Sequence, residues 1–198
     1  MHELLRNYNK AGIPVFLATI ESNLLDQKPF VSYPIVDSTV IYELEKESKT
    51  LLALGDTLRA ISMLQQMVNI DTSYANAWYA LGQLHYHLKD YKVAKQCLIR
   101  AKEHDFLRFR APQAINGQIN ILSKHFDNVN IVNIPEAFDR ISTGAVPGKL
   151  LFHEHVHPTL LGYYTVCSAF HDAIVQSRII SGEAQNIEED KFVQMLNV

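Results

Sequence analysis

The chain has 198 residues, 47% of them hydrophobic, which is enough to bury a core in one domain or in two small ones. Its formal net charge is −3 with both signs interspersed, so no nucleic-acid binding is predicted. The N-terminal residues lack a signal-peptide pattern, and the longest apolar run, 13–20, is too short to span a bilayer. We therefore expect a cytoplasmic protein without membrane contacts. Cys97 and Cys167 lie in apolar patterns typical of buried thiols rather than of a disulfide or zinc site.

The first elements predicted are a helix and a strand. Residues 1–12 read as the end of a helix stopped by Gly12. Residues 13–20 are apolar on both faces, as in a parallel strand covered by helices. Ser22 and Asn23 follow at the carboxyl end of this strand, where open α/β sheets place ligands. A helix cap or a turn is the alternative interpretation of these two residues.

Residues 41–108 contain an internal repeat with a period of 34 residues. The shift aligns Leu54 with Leu88, Asp56 with Asp90, Ala60 with Ala94, Leu64 with Leu98, Met67 with Ala101 and Asp71 with Asp105. Apolar spacing predicts helices at 42–54, 57–70, 75–88 and 91–104. With Trp78 and Gly82 in the second copy, the pattern resembles two tetratricopeptide repeats (TPRs), at about 41–74 and 75–108.

The two copies depart from the usual TPR pattern. The first has Leu44 and Ser48 in place of the Trp and Gly, and the second has Phe106 where a proline is usual. About three repeats are normally needed for a stable array, so we expect these two to be stabilised by packing against the rest of the protein. The resemblance places four residues on the concave groove, without cations: Asn76, Tyr79, Gln83 and Tyr86. A protein or peptide partner in this groove and a purely scaffolding role both remain open.

After residue 107 the repeat ends and single elements follow. The pattern predicts a helix from 113 to about 125, a second buried strand at 129–134, and one or two helical turns at 136–140. An amphipathic helix is predicted at 159–180, with a stop near Gly182. The tail at 183–198 is acidic at first and then apolar in Phe192, Val193, Met195 and Leu196.

The segment 150–162 holds His153, Glu154, His155, His157 and Pro158, with the proline suited to the first position of the last helix. The predicted elements follow the order helix, strand, loop and strand, and a carboxylate-x-x-His-Pro turn then leads into a helix. This order resembles the second half of the SGNH (GDSL-type) hydrolases. That resemblance implies ester or acyl hydrolysis, in which His157 takes the proton of a serine and Glu154 orients and stabilises the imidazolium. Here a glutamate replaces the aspartate of the family.

The nucleophile of that family has no counterpart in the 198 residues. Its Gly-Asp-Ser segment, and the glycine and Gly-x-Asn segments that stabilise the oxyanion, are absent from the sequence. A doubly wound sheet needs about five strands, whereas only two are predicted. We therefore expect either the C-terminal portion of a longer protein or a homodimer in which a second copy completes the sheet.

The predicted fold class is α/β with a large helical insertion, mostly α by residue count. A partial SGNH-like (flavodoxin-like) parallel sheet is expected from 1–40 and 107–182, with the two-repeat TPR array inserted at 41–106 and a tail at 183–198. The predicted function is that of a hydrolase fragment, inactive alone, that acts as a protein-interaction module. The alternative is an active esterase whose nucleophile comes from upstream sequence or another chain.

A metal site is a third hypothesis, because His153, His155 and His157 would share one face of an extended segment. The segment has no distant carboxylate or cysteine partner in a ligand pattern. We therefore predict no metal and no cofactor.

Overall fold

The computed structural model describes residues 1–180 and 187–195, and this part of the chain is mostly helical. In chain order the elements are α1 (His2–Lys10), β1 (Val15–Ala18), α2 (Ser38–Ala53), α3 (Thr57–Ile70), α4 (Ala75–His87), α5 (Tyr91–Glu103), α6 (Gln113–Ser123), β2 (Val129–Val132), α7 (Ile134–Ile141), a short 3-10 helix (Thr143–Ala145), α8 (Leu160–Gln176) and α9 (Glu189–Met195). The last long helix therefore ends earlier than predicted. The predicted stop at Gly182 and the tail residue Leu196 lie outside the described residues.

The two strands form a parallel pair that starts with Val15 opposite Val129. Within residues 1–180 and 187–195 the sheet consists of these two strands, as the apolar runs predict. Both strands are shorter than predicted. Pro14 cannot donate a ladder hydrogen bond, and α7 begins at Ile134, directly after the second strand, with Asn133 as its side-chain cap.

The sheet is covered by α7, α8 and the segment that joins them. The buried core consists of Val132, Ile134, Phe138, Leu151 and Phe152. Side chains from β1 and α8 pack against this core, while α6 also contacts both strands. Because Leu151 and Phe152 belong to the core, the chain that follows them leaves the sheet from a fixed position.

The repeats form two helical hairpins, α2 with α3 and α4 with α5. Their shared core includes Ile41, Leu64, Met67, Tyr74, Ala77 and Leu81. Three of the four helices match the predicted ranges to within a residue, and α2 begins four residues early, at Ser38. Gly82 permits the close crossing within the second hairpin, because a Cβ there would lie 2.6 Å from Cγ of Leu98.

The repeats pack against the α/β part of the chain. Leu24, Leu98 and Val146 form a buried cluster that joins the loop after β1, helix α5 and the segment before the histidine turn. The Lys95 Nζ lies 2.5 Å from a carboxylate oxygen of Asp139 on α7. Helix α5 of the second hairpin thus packs against the rest of the chain through apolar and charged side chains.

One predicted feature of the thiols is wrong. Cys97 is buried in the repeat core, whereas Cys167 is exposed, because its position on α8 faces away from the sheet. Among residues 1–180 and 187–195, the helices are all too short or too polar to cross a membrane.

Candidate functional site

The histidine segment forms a closed turn rather than an extended strand. Phe152 and Pro158 make an isolated antiparallel bridge, and the N–H of His153 donates to the carbonyl of His157 at 2.9 Å. The alternation expected of an extended segment is therefore lost. No group of three or more His, Cys, Asp or Glu residues in the described parts of the chain is arranged to hold a metal ion.

Helix α8 begins two residues later than the proline suggests. The N–H of Thr159 donates to the carbonyl of Leu151 at 2.9 Å, and its Oγ1 caps the helix by accepting from the N–H of Gly162 at 3.2 Å. Pro158 therefore precedes the cap and is not the first helical residue, because the chain is still paired with Leu151 at this point. A Cβ on Gly162 would lie 2.3 Å from the Leu151 carbonyl oxygen, so only glycine fits here.

Glu154 and His157 contact each other through their side chains. Oε1 of Glu154 lies 2.5 Å from Nδ1 of His157 and accepts the backbone N–H of the same histidine at 2.7 Å. The N–H of Val156 also points to this oxygen, at 3.3 Å. Since a carboxylate can only accept, the contact places the proton of a neutral His157 ring on Nδ1. The His157 side chain is 73% exposed, which leaves Nε2 open to solvent.

His155 occupies a different environment in the same turn. Its Nδ1 contacts Oε2 of Glu154, and its ring packs edge-on against Phe30, with centroids 5.1 Å apart. Phe109 lies on another side, 6.0 Å away. Burial lowers the pKa of His155, and positive charge at His157 and Arg110 lowers this pKa further. His155 is thus a packed ring whose pKa lies below its ordinary value.

The loop after β1 meets the turn through Asn23. Its N–H donates to the carbonyl of His155 at 3.0 Å, and its side-chain amide donates to the carbonyl of Glu154 at 3.1 Å. Ser22 is buried, and its Oγ has no hydrogen-bond partner among the described residues. The structure therefore brings Asn23 to Glu154 and His155, whereas Ser22 makes no hydrogen bond to the turn.

Three of the four residues expected on the TPR groove, Tyr79, Gln83 and Tyr86, direct their side chains to the chain's own loop. Tyr79 donates to the carbonyl of Leu25 at 2.9 Å, and Gln83 donates to the same oxygen. Tyr86 packs against the cluster of Leu24, Leu98 and Val146 and, with Leu25, lines a cavity of about 310 Å³ at this seam. Asn76 uses its backbone N–H, which donates to Ser32 at 3.0 Å. This part of the groove is occupied in cis.

Several residues that shape this region are not among the predicted site residues. Arg110 is buried, and its Nη1 donates to the carbonyls of Asn23 and Gln27 at 2.9 and 3.0 Å. Asp71 and Asp105 hold backbone N–H groups of the loop. The 34-residue alignment pairs these two aspartates, and that equivalence was the available signal for a shared role.

Comparisons with known proteins address the repeats. A family model of the tetratricopeptide repeat matches residues 51–114, from within α2 to the start of α6. No curated protein and no solved structure matches the chain. None of these comparisons supports the resemblance to SGNH hydrolases. TPRs typically bind protein partners through their concave surfaces, which suggests a protein-interaction module. Residues 51–114 thus contain tetratricopeptide repeats.

Proposed function

We propose that this chain supplies the histidine and carboxylate of a serine-dependent ester or acyl hydrolase of the SGNH type, and that it is inactive without a nucleophile from other polypeptide. The observation that carries this proposal is the 2.5 Å contact between Oε1 of Glu154 and Nδ1 of His157. A general base in a catalytic triad needs a carboxylate on one ring nitrogen and a free lone pair on the other. Both conditions are met when Nδ1 is engaged and Nε2 is exposed.

The longer side chain of glutamate is accommodated by the turn. Oε1 accepts the backbone N–H of His157 as well as the ring, so the carboxylate folds back on residues two and three positions further along. This local closure absorbs the additional methylene. The geometry supports Glu154 in the role that aspartate plays in the SGNH family.

The site lies near the carboxyl end of β1, because Asn23 of the following loop bonds to the turn. Ligands of open α/β sheets bind at such an edge. Within the described residues β1 pairs only with β2, although all four residues of β1 are apolar. An apolar strand at an open edge favours continuation of the sheet by further strands. Upstream sequence or a second copy of the chain would provide them, together with the nucleophile.

The test is labelling with a fluorophosphonate, which reacts with a serine activated by a histidine base. We expect the 198-residue chain alone to remain unlabelled and to hydrolyse 4-nitrophenyl acetate no faster than its His157→Ala variant. The protein purified from its natural source should be labelled on a serine that lies outside these residues. This labelling should be lost in His157→Ala and Glu154→Ala.

A matched control is His153→Ala, since His153 is an exposed histidine of the same turn. It should leave labelling unchanged. Absence of labelled serine from the natural protein, or equal labelling in His157→Ala and His153→Ala, would overturn the hydrolase proposal. Hydrolysis by the 198-residue chain that depends on His157 would instead overturn the proposed need for other polypeptide.

A second function, binding of a protein partner, rests on the part of the TPR surface that the loop leaves open. A cavity of about 210 Å³ lies between α2, α3 and α4. Its lining is apolar with a charged rim and includes Leu52, Met67, Ala80, Glu45 and Lys49. This surface suits an apolar side chain of a partner peptide flanked by polar groups.

The partner function is tested by introducing a charge into the cavity. Leu52→Glu should abolish recovery of the bound protein from cells that make the chain. Leu58→Glu is the control, because Leu58 is exposed on α3 and lies outside the cavity. Equal recovery of the same partner with both variants would contradict the proposed site.

A further inference from the structure

Two buried aspartates occupy equivalent positions in the two repeats. Asp71 follows α3, Asp105 follows α5, and each is 3% exposed. A buried carboxylate needs hydrogen-bond donors to offset its loss of hydration. The groups that donate hydrogen bonds to these two aspartates therefore show which segment of the chain the repeats bind here.

Both aspartates accept two consecutive backbone N–H groups from the segment between β1 and α2. Asp105 accepts from Phe30 at 2.8 Å and from Val31 at 3.0 Å. Asp71 accepts from Ile35 at 2.7 Å and from Val36 at 3.1 Å. The same contact is thus made twice, once by each repeat.

The bound segment is itself repetitive. Its sequence contains Pro29-Phe30-Val31 and Pro34-Ile35-Val36, so a proline directly precedes each pair of bound N–H groups. Proline fixes its own φ and favours an extended conformation in the preceding residue. Two Pro-apolar-Val units spaced by five residues therefore match two aspartates spaced by 34 residues.

Phe106 explains why one repeat departs from the usual pattern. Its N–H donates to the carbonyl of Val31 at 3.0 Å, a bond that the usual proline could not make. Its ring also packs on Tyr33, with centroids 4.8 Å apart. Between the two carboxylates, Ser32 Oγ accepts the N–H of Asn76 at the start of α4. The segment is therefore held along its whole length.

We propose that each TPR binds one Pro-apolar-Val unit of residues 29–36 in cis, through the main-chain N–H groups that its terminal aspartate accepts, and that this clamp positions the loop at the histidine turn. Recognition through N–H groups needs no particular side chain but excludes proline at the four donor positions. Although burial opposes it, hydrogen bonds from Ser73, Ile35 and Val36 lower the pKa of Asp71, which keeps this acceptor ionised.

The clamp reaches the turn through Phe30 and Arg110. Phe30 donates its N–H to Asp105 and packs its ring on His155. Arg110 lies 3.5 Å from the Asp105 carboxylate and holds the carbonyl of Asn23, whose amide groups bond to the turn. Asp105 is thus a positioning residue for the turn and touches neither Glu154 nor His157. The clamp stands independently of the hydrolase proposal.

Amide hydrogen exchange of the full chain tests the clamp. Asp105→Asn keeps the size of the side chain but removes its charge and one acceptor. We expect exchange of the Phe30 and Val31 amides to accelerate at least about tenfold, with Ile35 and Val36 changed less than about twofold. Asp71→Asn should give the reverse pattern. Asp90→Asn, in the exposed equivalent pair of aspartates, is the control and should leave all four amides unchanged.

A second readout separates positioning from general loss of stability. Asp105→Asn should shift the ring-proton resonances of His155, which Phe30 contacts, whereas Asp90→Asn should not. If either buried variant does not fold, Phe106→Pro serves: it restores the usual repeat residue and removes both the N–H that donates to the Val31 carbonyl and the ring that packs on Tyr33, so exchange of the Val31 amide should rise. Equal acceleration at all amides, or unchanged exchange of the four amides in the folded variants, would overturn the clamp.

Discussion

Gly162→Ala is predicted to destabilise the protein by closing a gap that the histidine turn needs. In a helix interior, alanine is favoured over glycine by about 1 kcal/mol. Here the added Cβ would lie 2.3 Å from the Leu151 carbonyl oxygen and 2.8 Å from Cβ of Pro158, against 3.4–4 Å for ordinary contact. Tight contacts of this kind cost about 1–3 kcal/mol, and more when backbone must move.

The upper end of that range applies at Gly162. Its obstacle is a backbone carbonyl that also accepts the N–H of Thr159, so it cannot move without opening the turn. A cost of about 3 kcal/mol less a gain of about 1 kcal/mol gives a net loss of about 2 kcal/mol. The matched control is Gly117→Ala in α6, where nothing lies within 4 Å of the added Cβ. It should stabilise the protein by up to about 1 kcal/mol.

Urea unfolding followed by far-ultraviolet circular dichroism measures both free energies of unfolding. The two variants should differ in opposite directions from the parent protein, by about 3 kcal/mol between them. A Gly162→Ala variant as stable as Gly117→Ala would refute the close approach of α8 to Leu151. It would also contradict the position of the histidine turn, which depends on this close approach.

Three further predictions concern side chains with distinct environments. Cys167 should react with Ellman's reagent in the native protein, whereas Cys97, whose pKa burial raises to about 11, should not; equal reactivity would contradict the structure. In a proton NMR titration His155 should titrate below its ordinary pKa of 6.5, and Phe30→Ala should raise this value by exposing the ring; no difference would disprove the packing. His155 of the unfolded chain binds a proton at a higher pH than His155 of the folded protein. The free energy of unfolding should therefore fall as the pH drops from 6.5 through the folded pKa of His155. Because the pKa of Asp71 is lowered in the folded protein, the ionised side chain stabilises the fold above the ordinary pKa of 3.8, and this stabilisation is lost as the pH falls through the folded pKa. Asp71→Asn should therefore change the pH at which the protein unfolds in acid; an unchanged pH of acid unfolding would contradict this.

The repeats were predictable from the sequence because their packing is local and periodic. Small residues such as Ala60 and Ala94 and large ones such as Leu64 and Leu98 recur with the 34-residue spacing of the two hairpins, so the pattern records the packing itself. The contact between Glu154 and His157 was predictable for a similar reason. They lie three positions apart, and a short turn brings such side chains together.

The clamp could not be predicted because its partners are distant and use main-chain atoms. Asp105 binds N–H groups 74 and 75 positions earlier in the chain, and any residue except proline carries such a group. Arg110 is similar, since its acceptors are two carbonyls of the loop. Sequence patterns record side-chain identity, so contacts made through the backbone leave little trace.

The most direct test of the central claim is the protonation of the His157 ring. In nitrogen-15 NMR of the neutral ring, the account predicts a proton on Nδ1 and a free lone pair on Nε2, because the Glu154 carboxylate can only accept. Glu154→Ala should abolish this preference, and His153→Ala should leave it intact. A proton on Nε2 in the parent protein, or a tautomer that does not respond to Glu154→Ala, would contradict the account.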